Sequence, residues 1–228
     1  MSQTDTKQGR THNADGAREA ILNAAEKIFA EHGFDGARVD AIAAESGYNK
    51  SLIFQYFGDK LNLYAGVIRR ADEQMRGLQN QVLAELLQRE AVSDIKRLKS
   101  VLRSFMSAYF DYLTEHPNYV RILNWEMAEG WQTYMQISVE DDREDLVNFS
   151  APMQLIGDSG WLRSRVNVMV QMILALFIGQ MYLGLVPLFK MYLPDVDSQS
   201  KETMAQAREF IVGFIAHGLI ADSDESKG

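Results

Sequence analysis

The chain has 228 residues, a hydrophobic fraction of 46% and a net charge of −8, which is ordinary for a globular protein with room for one large or two smaller domains. It contains no cysteine, which excludes a disulfide framework and thiolate chemistry. The polar first residues lack the apolar segment of a signal peptide. We therefore expect a cytoplasmic protein that begins with a flexible, mildly basic arm over residues 1–15.

The acidic charge is unevenly distributed along the chain. Residues 1–70 contain nine Lys or Arg and nine Asp or Glu, so the whole net charge of −8 belongs to the remainder. Only the N-terminal part is electrostatically suited to a polyanion such as DNA, and it would bind through a few placed cations. We expect a modest salt dependence of any DNA binding and a need for two copies of the chain.

The first predicted helix runs from Ala17 to His32, and Gly33 and Phe34 close it. Its apolar residues recur at the spacing of one buried helical face. They are Ala17, Ile21, Ala24, Ala25, Ile28 and Phe29.

Two further helices and a tight turn are predicted over residues 38–58. The first begins near Arg38, buries Val39, Ile42 and Ala43, and ends at Gly47, which accepts the left-handed conformation that other residues avoid. Asn49 is a good N-cap for a helix that starts at Lys50. Gly58 and Asp59 end that helix, which is about 8 residues long, and cap the next one. This arrangement is a helix-turn-helix.

The second helix of this motif has an unusual outer face. Helical spacing places Ile53 and Phe57 inside and Ser51 and Gln55 outside, with Leu52 and Phe54 on the flanks. A hydroxyl, an amide and apolar groups suit base edges and thymine methyl groups in a major groove. The alternative is that Leu52 and Phe54 pack onto another part of the same protein.

The matching residues of this segment are Ile42, Ala43, Gly47, Asn49, Lys50, Ile53, Phe54, Tyr56, Phe57 and Lys60. With the helix from Ala17 to His32, they resemble the DNA-binding domain of the tetracycline-repressor (TetR/AcrR) family of bacterial transcriptional regulators. The rest of the chain resembles that family only in being an all-helical tail of suitable length. The fold class implied is all-α, with a three-helix helix-turn-helix domain over residues 16–63 and a helical effector-binding and dimerisation domain over residues 64–228.

The resemblance implies roles for individual residues in DNA binding. Base-edge or groove contacts fall to Lys50, Ser51 and Gln55, and phosphate contacts to Tyr56 and Lys60. Asn49 and Leu52 are further candidates for DNA binding. Lys60 also has an independent argument, since the first turn of a helix attracts a phosphate; the alternative is an ordinary surface lysine. The family usually has Thr or Ser at the start of its second helix, where this chain has Ala37 and Arg38. Arg38 can supply the phosphate contact instead, but the cap is left open.

Beyond the motif the pattern is helical throughout. The predicted helices are Asp59 to about Arg89 with a break near Gly77, Asp94 to Glu115, Asn118 to Glu129, Arg165 to Tyr192 and Lys201 to Leu219. The boundaries between residues 130 and 160 are poorly defined.

The stretch from Val168 to Phe189 is long and apolar enough for a membrane span, with Gln171 and Gln180 as its polar side chains. It is a single segment deep in an otherwise polar chain, so we interpret it as a buried helix and expect no membrane association. Whether it faces a ligand cavity or a dimer partner stays open.

A homodimer is expected because one short recognition helix reads only a few base pairs, whereas a two-fold pair reads two half-sites of a palindromic operator. The last helix offers an apolar side that can form a four-helix interface with the helix before it; the alternative is packing within one subunit. The candidate interface residues are Met204, Ala207, Phe210, Ile211, Phe214 and Ile215.

The resemblance also implies a small-molecule effector that releases the protein from DNA. Aromatic and amide residues are the candidates for its pocket, together with Glu126, because an acid in an apolar helix needs a partner or a cationic ligand unless it is on the surface. The candidate effector residues are Tyr109, Trp125, Glu126, Trp131, Gln171 and Gln180.

The sequence gives little support for an enzymatic function. No metalloprotease, phosphate-loop or nucleophile-elbow motif is present, and the four histidines are scattered. The acidic run from Glu140 to Asp145 lacks the spacing of a calcium loop. We expect no catalysis, metal or cofactor, and a ligand-responsive DNA-binding repressor. The alternative is a helical small-molecule-binding or interaction protein whose helix-turn-helix no longer reads DNA.

Overall fold

The computed structural model describes residues 3–86, 94–138 and 153–221. The acidic run at residues 140–145 lies outside them. Within those ranges the chain forms helices and one isolated antiparallel bridge between Leu162 and Ile220, which confirms the all-α prediction. The helices are α1 (Gln3–Gly36), α2 (Val39–Ser46), α3 (Lys50–Phe57), α4 (Lys60–Leu86), α5 (Ile95–Glu115), α6 (Pro117–Ala128), α7 (Gln132–Ser138), α8 (Val168–Tyr192) and α9 (Lys201–Leu219), with a short helical segment at 153–158.

The predicted helix boundaries differ from the structure in several places, including the start of α8 at Val168 rather than Arg165 and the end of α1 at Gly36 rather than His32. Helix α1 begins at Gln3, where the sequence predicted a flexible arm over residues 1–15. Helix α4 continues through Gly77, where we predicted a break, because a single glycine costs a helix only about 1 kcal/mol. Helix α6 begins at Pro117 rather than Asn118, since proline is well suited to the first helical position.

The chain divides into two compact units. One consists of the residues up to Glu73 together with the segment that begins at Asn118, and the other consists of Gln74–Pro117 and the chain after that segment. The sequence predicted a boundary at residues 63 and 64. The contacts instead group α6 and α7 with the first three helices, so the unit that holds the helix-turn-helix is discontinuous in sequence.

The core of the first unit is built from the predicted apolar stripe of α1. Its residues Ile21, Ala25 and Phe29 are fully buried. The Phe29 ring packs edge-on against Tyr64 of α4, with ring centroids 4.8 Å apart. The backbone leaves helical geometry at Gly33, which has a φ of 67°. A Cβ atom there would lie 3.0 Å from the Trp125 ring, so glycine allows α6 to approach.

A buried carboxylate joins α4, α6 and α7 within this unit. Glu126 is 1% exposed, and its Oε1 accepts a hydrogen bond from the Tyr64 hydroxyl at 2.6 Å. Its Oε2 accepts a second bond from the backbone N–H of Tyr134 at 3.1 Å. Burial and the neighbouring Glu126 raise the pKa of Tyr64, so the hydroxyl stays protonated and donates. The predicted need of Glu126 for a partner is met inside the protein.

The second unit packs α5, α8 and α9 around one apolar core. Helix α5 starts at Asp94, whose side chain caps it by accepting from the Lys96 N–H at 2.8 Å. Its buried face includes Leu98, Val101 and Phe105, and these residues share a cluster with the buried face of α9.

The hydrogen bond of Tyr64 provides a test of the first unit. We expect Tyr64→Phe to lower the free energy of unfolding by about 1–3 kcal/mol, because a buried carboxylate oxygen loses its donor. Urea unfolding followed by circular dichroism measures the change. Tyr48→Phe, which removes a hydroxyl from a half-exposed position, is the control and should leave the stability within about 0.5 kcal/mol. Equal stability of the Tyr64→Phe variant and the wild type would show that this bond does not hold α6 in place.

Candidate nucleic-acid interface

The turn between α2 and α3 has the geometry that the sequence predicts. Gly47 adopts the left-handed conformation, with φ 75° and ψ 8°, and its N–H donates to the Ala43 carbonyl. The Asn49 Oδ1 then accepts from the Leu52 N–H at 2.9 Å and caps α3. These two local features determine where α3 leaves the turn and which of its faces points outward.

The outer face of α3 is polar and accessible. Ile53 and Phe57 are buried beneath it, whereas Ser51 and Gln55 are exposed one helical turn apart. The flanking Leu52 is half-buried and Phe54 is 39% exposed. The predicted orientation of the helix is confirmed. The alternative that Leu52 and Phe54 pack onto another part of the protein is met in part, since both side chains are partly covered.

Lys50 bridges the two helices of the motif. Its Nζ lies 3.0 Å from the Asp40 Oδ1 and 6.0 Å from the centre of the Phe54 ring. Both partners of the ion pair are exposed, so the pair contributes little to stability. Lys50 can therefore exchange Asp40 for a DNA phosphate or base at small cost.

Lys60 lies in the first turn of α4 and folds back over the protein. Its Nζ donates to the Asp35 carbonyl at 3.3 Å and lies 4.6 Å from the centre of the Phe34 ring. The helix end itself is capped by Asp59, whose carboxylate accepts from the Asn62 N–H at 2.7 Å. The argument from free amides at this helix end is therefore weaker than expected, and a phosphate there would depend on the Lys60 ammonium.

Arg38 is the N-cap residue of α2, in extended conformation and without a side-chain cap hydrogen bond. The open question about this cap is thereby answered: α2 starts uncapped, and the exposed guanidinium is left for other contacts. Tyr56 is half-buried and lines a polar groove of about 300 Å³ together with Arg18, Asn62 and Arg69.

The six candidate effector residues divide equally between the two units. Trp125, Glu126 and Trp131 belong to the first unit, and Tyr109, Gln171 and Gln180 belong to the second. The Glu126 carboxylate accepts hydrogen bonds from the Tyr64 hydroxyl and the Tyr134 N–H. The Trp125 Nε1 donates to the Ala30 carbonyl at 3.3 Å. The prediction of Glu126 as an effector contact is wrong, because its carboxylate is a buried structural group.

A cavity of about 40 Å³ lies within the second unit instead, and among the six candidates only Gln171 lines it. Its wall includes Leu98, Leu102 and Phe105 of α5, Met153 and Ile156 of the segment 153–158, and Met172 of α8. Sequence reasoning missed these wall residues because an apolar residue beside a cavity has the same pattern as one in a filled core.

Some of the candidate dimer residues of α9 point into the core of their own unit, and others point into solvent. Ile211 and Ile215 are buried in the core of their own unit, so their prediction as interface residues is wrong; Met204 also packs partly against that core. Phe210 and Phe214 are 73% and 61% exposed, and their rings stack with centroids 6.4 Å apart. Adjacent residues of a helix point about 100° apart, which separates the two pairs.

Helix α8 continues this exposed apolar surface. Leu174 and Met181 are exposed, and in the most apolar window of the helix only 22% of the residues are buried within the chain. By length and composition the helix could cross a membrane, and it is the only such helix among the described residues. The feature is weak support for a span, since interface and core helices pass the same test.

Comparison with known proteins gives the same assignment for the N-terminal part. Residues 21–67 match the family model described as bacterial regulatory proteins, tetR family. Over 117 residues the chain is 33% identical to the transcriptional repressor NicS of Pseudomonas putida, covering 51% of each protein. Over 109 residues it is 36% identical to the repressor SCO4008 of Streptomyces coelicolor, covering 48% of each. The matched region thus spans about half the length of these relatives.

A solved structure extends the likeness over most of the chain. A linker-substituted mutant of HlyIIR matches with a TM-score of 0.61 and 20% identity, covering 92% of this chain and 99% of that protein. At this identity the likeness concerns the fold alone.

The cap of α3 yields a test of the motif. We expect Asn49→Ala to lower the free energy of unfolding by about 1 kcal/mol, because the Leu52 N–H loses its acceptor, and Asn49→Ser to preserve most of the stability. Thermal unfolding of the two variants measures the difference. If alanine and serine at this position are equally stable, the Asn49 side chain does not cap α3.

Proposed function

We propose that this chain, whose residues 21–67 place it in the tetR family of bacterial regulatory proteins, is a cytoplasmic DNA-binding transcriptional regulator that represses its target genes. It is a regulator and not an enzyme. The observation that carries the proposal is the outer face of α3, where Ser51 and Gln55 stand exposed on a helix that is capped and buried on its other side. Repression is proposed because NicS and SCO4008 are both named repressors.

The roles of the interface residues follow from their chemistry. Gln55 offers a hydrogen-bond donor and an acceptor to the edge of an adenine. Ser51 offers a hydroxyl that can donate to or accept from a base edge, and Leu52 offers an apolar contact to a thymine methyl group. Arg38, Tyr56 and Lys60 contact phosphates and set the register of the motif on the duplex. Lys50 joins them on release from Asp40, and Asn49 contributes its amide nitrogen, because its oxygen caps the helix.

The alternative function, a binding protein whose motif no longer reads DNA, is not favoured. A protein that no longer bound DNA would not need Ser51 and Gln55 exposed between apolar side chains. It would also not need the glycine of the turn at position 47 or the cap at Asn49. All of these features are intact.

A homodimer is proposed for two reasons, the specificity of DNA binding and the exposed apolar residues of the second unit. Two copies of α3 read two half-sites, whereas one reads too few base pairs for specificity. A partner would cover the exposed apolar residues of α8 and α9, such as Leu174, Met181, Phe210 and Phe214, since large exposed apolar patches are rare on monomers.

Regulation by a small molecule is proposed as a two-state linkage. The effector stabilises a dimer whose recognition helices are spaced wrongly for the operator. Helix α4 carries the change, because it starts beside the recognition helix and its residues from Gln74 onward belong to the second unit.

Selection of bound duplexes from a random DNA pool tests the function. At about physiological salt we expect an enriched inverted repeat that is bound at least ~10³-fold more tightly than non-specific DNA. Gln55→Ala should relax the preference at one position of each half-site, which corresponds to about 1–3 kcal/mol. Lys60→Ala is the matched variant and should weaken binding to all sequences and reduce the salt slope by about one.

Two outcomes would contradict this division of roles. Absence of an enriched sequence with the folded wild-type dimer would exclude an autonomous sequence-reading regulator. An unchanged base preference in Gln55→Ala would remove that residue from the readout.

The dimer has a separate test. We expect Phe210→Glu combined with Phe214→Glu to give monomers at micromolar concentration, because an unpaired carboxylate buried by a partner costs about 3 kcal/mol or more, or roughly 100-fold in the dissociation constant. Size-exclusion chromatography with light scattering measures the state. Met135→Glu changes an exposed apolar residue of α7 and should stay dimeric. A monomeric wild-type protein at this concentration would contradict the dimer proposal.

A further inference from the structure

We infer that a groove beside the helix-turn-helix is a further phosphate site of the DNA interface, in which Arg18 of α1 binds one phosphate of the DNA backbone. The inference rests on the proposed function and adds α1 to the surface that meets the duplex. The sequence did not indicate this role, because Arg18 lies on the polar side of α1 and belongs to no motif.

The groove lies within the first unit, between α1, the end of α3 and α4, and its volume is about 300 Å³. Tyr56, which is proposed to contact a phosphate, forms part of its wall, and so does Asn62, two residues after Lys60. The groove is therefore continuous with the proposed DNA interface. Its charged lining residues are Arg18, Glu19, Arg69, Arg70 and Glu73.

Arg18 holds a positive charge at the surface of this groove. Its side chain is 49% exposed, and its guanidinium carbon lies 5.4 Å from the centre of the Phe57 ring. Phe57 is buried at the end of α3, so this contact ties the cation to the recognition helix without using its N–H donors. A planar guanidinium held in this way is suited to the oxygens of a phosphate.

The carboxylate that pairs with Arg18 is shared with a second arginine. Glu19 Oε1 lies 4.0 Å from Arg18 Nη1, whereas its Oε2 lies 3.3 Å from Nη1 of Arg70. The Arg70 side chain is 18% exposed and also contacts Glu26 and Asn23, so it is a structural cation. An exposed ion pair at 4.0 Å contributes little to stability. Arg18 can therefore leave Glu19 for a phosphate at small cost.

A phosphate of the DNA backbone is the occupant that these groups fit. The hydroxyl of Tyr56 and the amide of Asn62 stand in the same groove as the guanidinium, and arginine, tyrosine and asparagine are usual partners of phosphate oxygens in DNA complexes. A backbone phosphate carries one negative charge, so the two carboxylates of the wall repel it less than they repel a free phosphate dianion. The contact carries no base information and acts on affinity and register.

The salt dependence of DNA binding by the full-length protein tests the inference. We expect Arg18→Ala to reduce the slope of log K against log salt by about 0.9, on the operator and on unrelated duplex alike, because one phosphate contact is lost. The ratio of wild-type to variant affinity should therefore shrink about 3-fold from about 50 to about 200 mM salt. The base preference of the selected sites should not change. Arg18→Lys keeps the charge and should retain most of the slope.

Lys27→Ala is the matched control. Lys27 lies on the same helix, and its side chain is 49% exposed, as is that of Arg18, but its Nζ lies 2.7 Å from the Glu45 carboxylate. We expect this variant to keep the wild-type slope. A smaller folded fraction lowers the apparent affinity by the same factor at every salt concentration and leaves the slope unchanged, so a loss of stability in Arg18→Ala is not mistaken for a lost contact.

Duplexes that carry one neutral methylphosphonate locate the contact. At one position of each half-site, the neutral group should weaken binding by the wild type and leave binding by Arg18→Ala unaffected. An unchanged slope in Arg18→Ala would overturn the inference, as would an equal loss of slope in Lys27→Ala or the lack of any position at which the two proteins differ. Failure of the proposed function is separate, since it appears in the wild type alone as the absence of a preferred sequence, and the slopes on unrelated duplex still test Arg18.

Discussion

The structure of the DNA-binding unit depends on the satisfaction of one buried carboxylate. Glu126 is removed from water in the last turn of α6, where an unpaired charge would be costly. The Tyr64 hydroxyl and the Tyr134 N–H supply the two hydrogen bonds that its two oxygens need. Those bonds bring α4, α6 and α7 together, and Gly33 allows the Trp125 ring to close over the end of α1. The helix-turn-helix consequently belongs to a body larger than its own three helices.

The same unit also explains how a neutral domain can bind a polyanion. Several of its cations are held by carboxylates: Lys27 by Glu45 at 2.7 Å, and Arg70 by Glu26 at 2.5 Å and Glu19 at 3.3 Å. The negative charge of these carboxylates offsets the cations that they contact. The charges proposed for DNA are those with weak or neutral contacts, namely Arg18, Arg38, Lys50 and Lys60. Affinity from so few cations is modest, which makes base-edge contacts and a second copy of the motif necessary for specific binding.

Local features were predictable from the sequence, and contacts distant in sequence were not. The glycine at 47, the cap at Asn49 and the periodicity of α1 and α3 act within a few residues, and each is found as predicted. The partner of Glu126 lies 62 residues away, and no pattern around either residue reports it. The last helix shows the same limit: the sequence places Phe210 and Ile211 on one broad apolar side, and only packing against α5 decides which is buried. The cavity is likewise a property of how α5, α8, the end of α9 and the segment 153–158 meet.

Helix α8 contributes both to the core of the second unit and to its exposed apolar surface. Its apolar side chains are too numerous for one packed face, so one side reaches the core and the cavity while the other is exposed with Phe210 and Phe214 of α9. A membrane would cover the exposed side of α8 but would also meet the ion pairs near the middle of α9, where Arg208 lies 2.6 Å from Asp111 and Glu209 pairs with Arg103. A second copy of the chain, as proposed above, would cover the apolar side and leave those charges in water. The arrangement therefore favours a dimer, in which α8 touches the partner on one side and the cavity on the other.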